Sequence, residues 1–433
     1  MNVQVAPSAV SGTVAAPASK SAMIRAVAAA LLADGRTIIG NPSRCDDARA
    51  ALAVVRALGA RVAAGRNRVT VTGGLVPTGV PLDCRESGLA ARLFPAIAAL
   101  GAQAVTITGR RSLLRRPVGP IENPLRQLGA ECMSTGGYLP LRVRGPLRGG
   151  PVEVDGALTS QFLTGLLMAL PLAPGDSILT VRRLASRPYI DLTLAVMRSF
   201  GVIAEHKEYQ EFRIRGNQRY RAADCIVEGD WSGAAFLLVA GAVAGDIVVT
   251  GLDPASTQAD RLVLDALAAA GAAPGRDAVP GGLPATDRVR IAGAELRAFE
   301  IDLADAPDLF PPLVALAVHC RGRSALRGAE RLAHKESDRA TALVRMFTAL
   351  GGDVRREGDV LVVAGGRRLA GGTVDAGGDH RMAMAAAVAA LGAAGPVTIT
   401  GAECVRKSYP DFYDDLAALD AAIEFSVRQD KPS

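Results

Sequence analysis

Lysine is nearly absent from this chain: its 433 residues hold five lysines against 44 arginines. Where arginine supplies the ordinary surface cation, a retained lysine points to a need for a compact ammonium beside a reacting atom. Three of the five stand in compact polar motifs: Lys20 in Pro17-Ala-Ser-Lys-Ser21, Lys335 in His334-Lys-Glu-Ser-Asp-Arg339, and Lys407 in Val405-Arg-Lys-Ser-Tyr-Pro-Asp411. Lys207 and Lys431 sit in polar surroundings that read as surface. Aromatics make up 4% of the chain, which argues against a base-stacking surface. The six cysteines (45, 84, 132, 225, 320 and 404) lie far apart with no C-x-x-C, and the four histidines are dispersed. That pattern predicts reduced thiols, a cytoplasmic location and no zinc site. The start, Met1-Asn-Val-Gln-Val-Ala-Pro7, lacks both a charged n-region and an apolar core, so no signal peptide is expected. No apolar run reaches membrane-spanning length. P-loop and Rossmann fingerprints are both missing, which disfavours nucleotide-driven chemistry.

Apolar residues are 49% and charged ones 21%, the balance of a globular chain with ample core. The net charge of +6 is scattered rather than run together, which suits a cleft for small polyanions better than a nucleic-acid patch. An internal repeat dominates the organisation. Ala-Leu-Gly-Ala-Arg-Val ends at Val62, and relatives of it place glycines at 59, 129, 201, 271 and 351. A degenerate sixth copy, Ala-Leu-Asp-Ala-Ala-Ile, falls at 418–423. Each phrase follows an amphipathic stretch, so each glycine reads as the C-terminal stop of a helix. Between these phrases run six stretches apolar nearly all round, near 26–33, 89–100, 162–172, 233–244, 309–318 and 382–392, which predict buried helices. Each is preceded by a polar lip: Lys20/Ser21/Arg25, Arg85/Glu86/Ser87/Gly88, Thr159/Ser160/Gln161, Asp230/Ser232, Asp308, and Asp379/His380/Arg381. Short β-like runs such as Val69–Thr72 and Val397–Thr400 supply strands. The period predicts six units of roughly 70 residues in an α/β fold of two domains. Buried helices that bring their positive N-terminal ends to one surface would bind anions there.

Across essentially its whole length, and on these motifs, the chain resembles the enolpyruvyl transferases, and within them the branch that acts on shikimate 3-phosphate. The resemblance implies a two-domain inside-out α/β barrel with three units per lobe: residues 19–228 in one lobe, 1–18 and 229–433 in the other. It implies transfer of the enolpyruvyl group of phosphoenolpyruvate to the 5-hydroxyl of shikimate 3-phosphate, with release of phosphate and no metal or organic cofactor. Lys20 would touch both substrates, and Ser21 and Arg25 would hold the shikimate phosphate. Physically, Ser21 can cap the helix while Arg25, a turn later, reaches back to an anion. Thr159, Ser160 and Gln161 form the most specific local match, and Ser186 and Tyr189 would complete that substrate's site. Arg116, with Arg115 beside it facing solvent, would bind phosphoenolpyruvate together with Gly88, Arg92, Gln161, Arg339, Arg381 and Lys407. Asp308, which taken alone is equally a plain N-cap, would be the base for the 5-hydroxyl. Glu336 would handle the proton at the methylene carbon, and Lys335 and Arg331 would contact shikimate 3-phosphate. A carboxylate among lysines stays ionised at neutral pH, as a base must.

Thr159 stands where the family usually has serine, and Arg331 where many members carry Asn, so Arg331 adds a contact to shikimate 3-phosphate or is merely a surface charge; one further segment departs more strongly from the family pattern. Where the family reads Asn-Ala-Gly-Thr, this chain has Glu86-Ser87-Gly88-Leu89. A carboxylate near an anionic ligand predicts weakened inhibition by glyphosate, which occupies that pocket in the family, unless Arg85 or Arg92 takes up the charge. Three other readings stand beside this one. A paralogue could act on another phosphorylated alcohol. The nucleotide-sugar sister enzyme is disfavoured because Gly109–Pro117 lacks its cysteine. A non-catalytic anion binder would not need Asp308 and Glu336 among cations. No nucleic acid and no membrane are expected as partners, and a monomer is the default.

Overall fold

The computed structural model describes residues 1–277 and 288–426; Lys431 lies outside them. The chain divides into two compact units. The terminal unit comprises Met1–Pro17 and Glu228–Ser433, and the inserted unit is Ala18–Val227.

In the inserted unit six α-helices alternate between two kinds. Helices α1 (Lys20–Leu32), α3 (Gly88–Ala98) and α5 (Gln161–Ala169) are apolar around their circumference and almost wholly buried. Helices α2 (Asp46–Ala57), α4 (Glu122–Gln127) and α6 (Pro188–Ser199) bury one face. The terminal unit repeats the alternation. Helices α7 (Trp231–Ala244), α9 (Phe310–Ala317) and α11 (His380–Ala390) are the buried ones. Helices α8 (Val263–Ala269), α10 (Arg339–Ala349) and α12 (Phe412–Ala418) bury one side. A helix with no polar face must be surrounded by protein, and each unit accordingly has its own apolar core built around its three odd-numbered helices.

Among the described residues there are six four-stranded sheets of one topology, three in each unit, and a small two-stranded pair. In each of the six, one edge strand lies parallel to its neighbour and the remaining pairings are antiparallel. Parallel neighbours need a crossover, and a buried helix supplies it: α3 joins Leu82–Asp83 to Val105–Thr108, and α9 joins Glu300–Asp302 to Gly322–Arg327. No described sheet closes on itself, so the fold at this level is mixed α/β with open sheets.

The repeat phrase ends every even-numbered helix in the same way. Gly59, Gly129, Gly201, Gly271 and Gly351 all have positive φ. One residue on, the backbone N–H of 60, 130, 202, 272 and 352 donates to the carbonyl five residues earlier, at 2.8–3.0 Å. This is the 6→1 closure of a helix whose next residue is left-handed. In the degenerate copy Asp420 takes φ +70 and Ala421 N donates to Leu416 O at 3.3 Å. Aspartate tolerates that conformation better than most side chains, so the sixth stop survives without glycine.

Candidate active site

The polar lips of the buried helices carry the chemistry. In the inserted unit, Ser19 and not Ser21 caps α1: its Oγ accepts from Ala22 N at 3.3 Å, and the helix begins at Lys20. Lys20 Nζ lies 3.1 Å from Asp47 Oδ2, with both side chains largely buried. Asp47 stands in the first turn of α2, a position where a carboxylate is expected simply to face the helix dipole, so no local signal singles it out.

Arg25 is 1% exposed. Its Nε donates to Thr193 Oγ1 (2.9 Å), Nη1 to the Ser21 carbonyl (3.0 Å), and Nη2 to the Tyr189 carbonyl (3.2 Å) and Thr164 Oγ1 (3.4 Å). No carboxylate lies within ion-pairing distance of it among the described residues. Burial lowers its pKa to about 10, so it remains a cation at neutral pH. Arg92 donates through Nη1 to Gln161 Oε1 (2.9 Å) and through Nε and Nη2 to the Pro117 carbonyl (3.2 and 3.1 Å). Close packing of α5 on α3 permits this, because a Cβ on Gly165 would sit 2.6 Å from the Leu93 carbonyl oxygen. Gly88 is equally constrained: a Cβ there would stand 2.6 Å from Arg116 Nη1, so only glycine lets that guanidinium lie on the start of α3. Arg116 is buried and Arg115 exposed.

Thr159 Oγ1 accepts from Gln161 N at 3.3 Å, while the buried Ser160 caps nothing with its side chain. Ser186 is buried in a left-handed conformation (φ +58) ahead of α6, and Tyr189 N donates to its carbonyl. Hydrogen bonds therefore link Arg92 to Gln161 and Arg25 to Thr164 and Tyr189, drawing α1, α3, α5 and α6 into one polar cluster. Glu86 pairs with neither Arg85 nor Arg92. Its carboxylate accepts from Ser112 Oγ (2.8 Å) and lies 3.6 Å from exposed Arg111.

In the terminal unit Asp308 is the hub. It sits in the 3-10 turn Pro307–Leu309 that leads into α9 and makes no cap bond. Its Oδ1 lies 2.7 Å from Arg339 Nη1 and 3.3 Å from Lys335 Nζ, and its Oδ2 3.1 Å from Arg381 Nη2. Arg381 Nη1 also donates to the Asp308 carbonyl at 3.3 Å. Burial alone would raise the Asp308 pKa, but Arg381, Lys335 and Arg339 hold it well below the usual carboxylate range. Glu336 joins Arg339 Nη2 (2.6 Å) to Lys407 Nζ (3.3 Å). Burial depresses the Lys335 pKa despite Asp308 beside it. Arg331 is half-buried in the turn Ala329–Leu332, and its pKa is lowered by burial against the pull of Asp305 and Asp308.

Asp379, fully buried, was read from sequence only as part of a polar lip. It caps α11 by accepting from Arg381 N (3.1 Å), and it receives Arg339 Nε (2.8 Å) and Ser337 Oγ (3.0 Å). It thus fixes Arg339, the side chain that ties Asp308 to Glu336. The pairing of a buried helix cap with an arginine 40 residues away leaves no local signal in the sequence.

Comparison with known proteins places the chain in a family. The family described as EPSP synthase (3-phosphoshikimate 1-carboxyvinyltransferase) matches residues 5–416. The chain belongs to this family. A 3-phosphoshikimate 1-carboxyvinyltransferase of Aeropyrum pernix is 43% identical over 422 residues, covering 98% of this chain and 96% of that protein. Another from Methanocorpusculum labreanum is 40% identical over 426 residues, covering 97% and 99%. The solved EPSP synthase of Acinetobacter baumannii superposes with a TM-score of 0.83 at 26% identity, covering 98% of this chain and 99% of that one. Among the described residues no helix is long and apolar enough to cross a membrane.

Proposed function

We propose that this protein is a 3-phosphoshikimate 1-carboxyvinyltransferase of the shikimate pathway to aromatic amino acids. It transfers the enolpyruvyl group of phosphoenolpyruvate to the 5-hydroxyl of shikimate 3-phosphate and releases phosphate. The observation that carries the reading is Asp308, a carboxylate held among Lys335, Arg339 and Arg381 with Glu336 one arginine away.

The reaction is an addition followed by an elimination. The 5-hydroxyl oxygen bonds to C2 of phosphoenolpyruvate while Asp308 takes its proton and Glu336 delivers a proton to the methylene carbon. The product is a tetrahedral ketal. The bond from C2 to the phosphate oxygen then breaks. A methyl proton returns to Glu336, its electron pair forms the new double bond, and phosphate departs with the proton held by Asp308. Nothing in this sequence requires a metal or an organic cofactor. Fixed cations that stabilise the phosphates and the leaving group are the expected main source of rate. Asp308 becomes an effective base once substrate anions draw Lys335, Arg339 and Arg381 toward themselves and loosen their hold on it.

Shikimate 3-phosphate is assigned to Lys20, Ser21, Arg25, Thr159, Ser160, Gln161, Ser186, Tyr189, Asp308, Arg331 and Lys335. Phosphoenolpyruvate is assigned to Lys20, Gly88, Arg92, Arg116, Gln161, Arg339, Arg381 and Lys407. Support comes from the burial of Arg25 among neutral acceptors and from the contact of Arg116 with Gly88. The proposal includes an inside-out α/β barrel of three modules in each lobe, with lobes at 19–228 and at 1–18 with 229–433; the alternation of buried helices and outer sheets supports it. It also includes action as a monomer in the cytoplasm. Purified protein given shikimate 3-phosphate and phosphoenolpyruvate, without added metal, should release inorganic phosphate. No release with shikimate 3-phosphate, but release with another phosphorylated alcohol, would replace the acceptor.

A further inference from the structure

The proposed reaction leaves one polar lip unused, that of α7. Asp230 caps this helix, its Oδ1 accepting from Gly233 N at 3.1 Å, and Ser232 in the first turn donates its hydroxyl to the carboxylate of Asp260. Asp260 is 1% exposed and sits in the 3-10 turn Ala259–Leu262 ahead of α8. Gln258 pins that turn to the start of α7: its Oε1 accepts from Trp231 N at 3.1 Å, and its Nε2 donates to the Gly229 carbonyl at 2.8 Å. Helix α7 packs on the Asp260 turn and also on the turn Pro307–Leu309 that carries Asp308. Helix α11 packs on α7 as well, and Asp308 of that turn, Arg381 of α11 and Asp230 of α7 act electrostatically on Asp260, while Glu228, its pKa raised by burial, hydrogen-bonds Gln258. A carboxylate placed so deep costs stability unless its charge is used.

We propose that Asp260 is a positioning residue for the Arg381–Asp308 pair, competing with Asp308 for Arg381 and so setting how strong a base Asp308 is; this rests on the reaction proposed above. Arg381 spans both Asp308 Oδ2 and the Asp308 carbonyl. An ionised Asp260 draws on the same guanidinium and repels Asp308, and both effects favour protonation of Asp308. A neutral Asp260 leaves Arg381 wholly to Asp308, which is then a poorer base. Burial, with Asp308 as a secondary cause, lifts the Asp260 pKa to about 6, so the change of state falls within an accessible pH range.

Trp231 is the only tryptophan in the chain, fully buried and next to Ser232, so its emission reports on this turn without any turnover. The experiment titrates Trp231 fluorescence from mildly acidic to mildly alkaline pH in the full-length wild type, Asp260→Asn, Ser232→Ala and Asp308→Asn. Wild type should show a step near pH 6 that Asp260→Asn abolishes. Ser232→Ala should move the step to higher pH, because the ionised form loses a hydrogen bond. Asp308→Asn should move it lower, because a like charge is gone. In parallel, the kcat profile of the wild type should have an acid limb at the same pH, which Asp260→Asn flattens at a kcat lowered about 3- to 30-fold, the effect of a pKa change of about half to one and a half units. Circular dichroism checks that Asp260→Asn is folded; Ser232→Ala carries the test if it is not. A step that persists in Asp260→Asn, or one that Asp308→Asn leaves unmoved, overturns the proposal. So does a kcat limb that neither Asp260→Asn nor Ser232→Ala shifts. Absent turnover in the wild type would instead remove the proposed reaction, while the fluorescence steps would still decide the coupling.

Discussion

Lys20 of the inserted unit pairs with Asp47, but two of that unit's buried arginines are held differently from the cations of the terminal unit. In the inserted unit Arg25 and Arg92 donate to carbonyls, hydroxyls and an amide, and Arg25 has no carboxylate within ion-pairing distance among the described residues. In the terminal unit Asp308, Glu336 and Asp379 clamp Lys335, Arg339, Arg381 and Lys407. Neutral acceptors orient a guanidinium but leave its charge for a ligand. Carboxylates orient it and also neutralise it, so a ligand must compete with them. The first arrangement suits binding. The second suits a reaction step in which charge is handed from protein carboxylates to substrate oxygens.

The sharpest way to break this contrast is Asp308→Ala. It takes one carboxylate away from Lys335, Arg339 and Arg381 and removes the proposed base, so kcat should fall about 10³-fold, within the range of general acid–base contributions. Affinity for phosphoenolpyruvate, read by equilibrium binding, should hold or improve. A loss of affinity equal to the loss of kcat would mean that Asp308 only scaffolds the arginines. Lys20→Arg comes next, with an expected loss of about 10²–10³-fold, the scale for one donor to a developing anion. A guanidinium beside Asp47 would settle on it bidentately and stay there, where the ammonium at 3.1 Å can swing away. Wild-type turnover in Lys20→Arg would show that any cation serves.

Stability should separate the units in the opposite sense. Arg339→Met takes from fully buried Asp379 its arginine and one cation each from Asp308 and Glu336, and should cost about 3–5 kcal/mol in urea unfolding, the scale of a broken buried ion pair. Arg25→Met removes a buried cation with no carboxylate to abandon. It should change stability by no more than about 1–2 kcal/mol, chiefly the lost hydrogen bonds, while weakening shikimate 3-phosphate binding severely. Equal destabilisation by the two substitutions would erase the distinction.

Much of this architecture was legible in the chain because it is periodic. Five glycines at a common spacing announced five helix stops, and the copy with Asp420 kept its left-handed turn. The six buried helices were equally readable, since an all-round apolar stretch has one physical outcome. Contacts across elements were not. The sequence offers Arg85 or Arg92 as partners that could take up the charge of Glu86; in the fold it meets Arg111 and Ser112, because loop geometry decides which neighbour is near. Ser21 was expected to cap α1, but Ser19 does, one residue ahead of the helix. Asp47 carries no signal of its own and Asp379 reads only as part of a polar lip, because a carboxylate at a helix start is the commonest of sequence features. Only the tertiary fold places Lys20 and Arg339 against them.

The smallest effect probes the edge of the inserted unit's cluster. Glu86 ends two residues before Gly88, where Arg116 lies, and its side chain is 25% exposed while that of Arg111 is 85% exposed. A pair so open and 3.6 Å apart contributes on the order of 0.2–1 kcal/mol, so Arg111 screens the carboxylate only in part. The residual negative charge should oppose an anion at Arg116 by about 0.5–1 kcal/mol, a few-fold in affinity. Glu86→Gln should therefore lower KM for phosphoenolpyruvate about two- to five-fold and strengthen inhibition by glyphosate by a similar factor. Both changes should shrink as added salt shortens the Debye length toward about 3 Å. If Glu86→Gln left KM and inhibition untouched at low salt, the carboxylate would be fully absorbed by Arg111 and Ser112. Any glyphosate tolerance would then have to come from Leu89, which is buried where the family pattern has a hydroxyl.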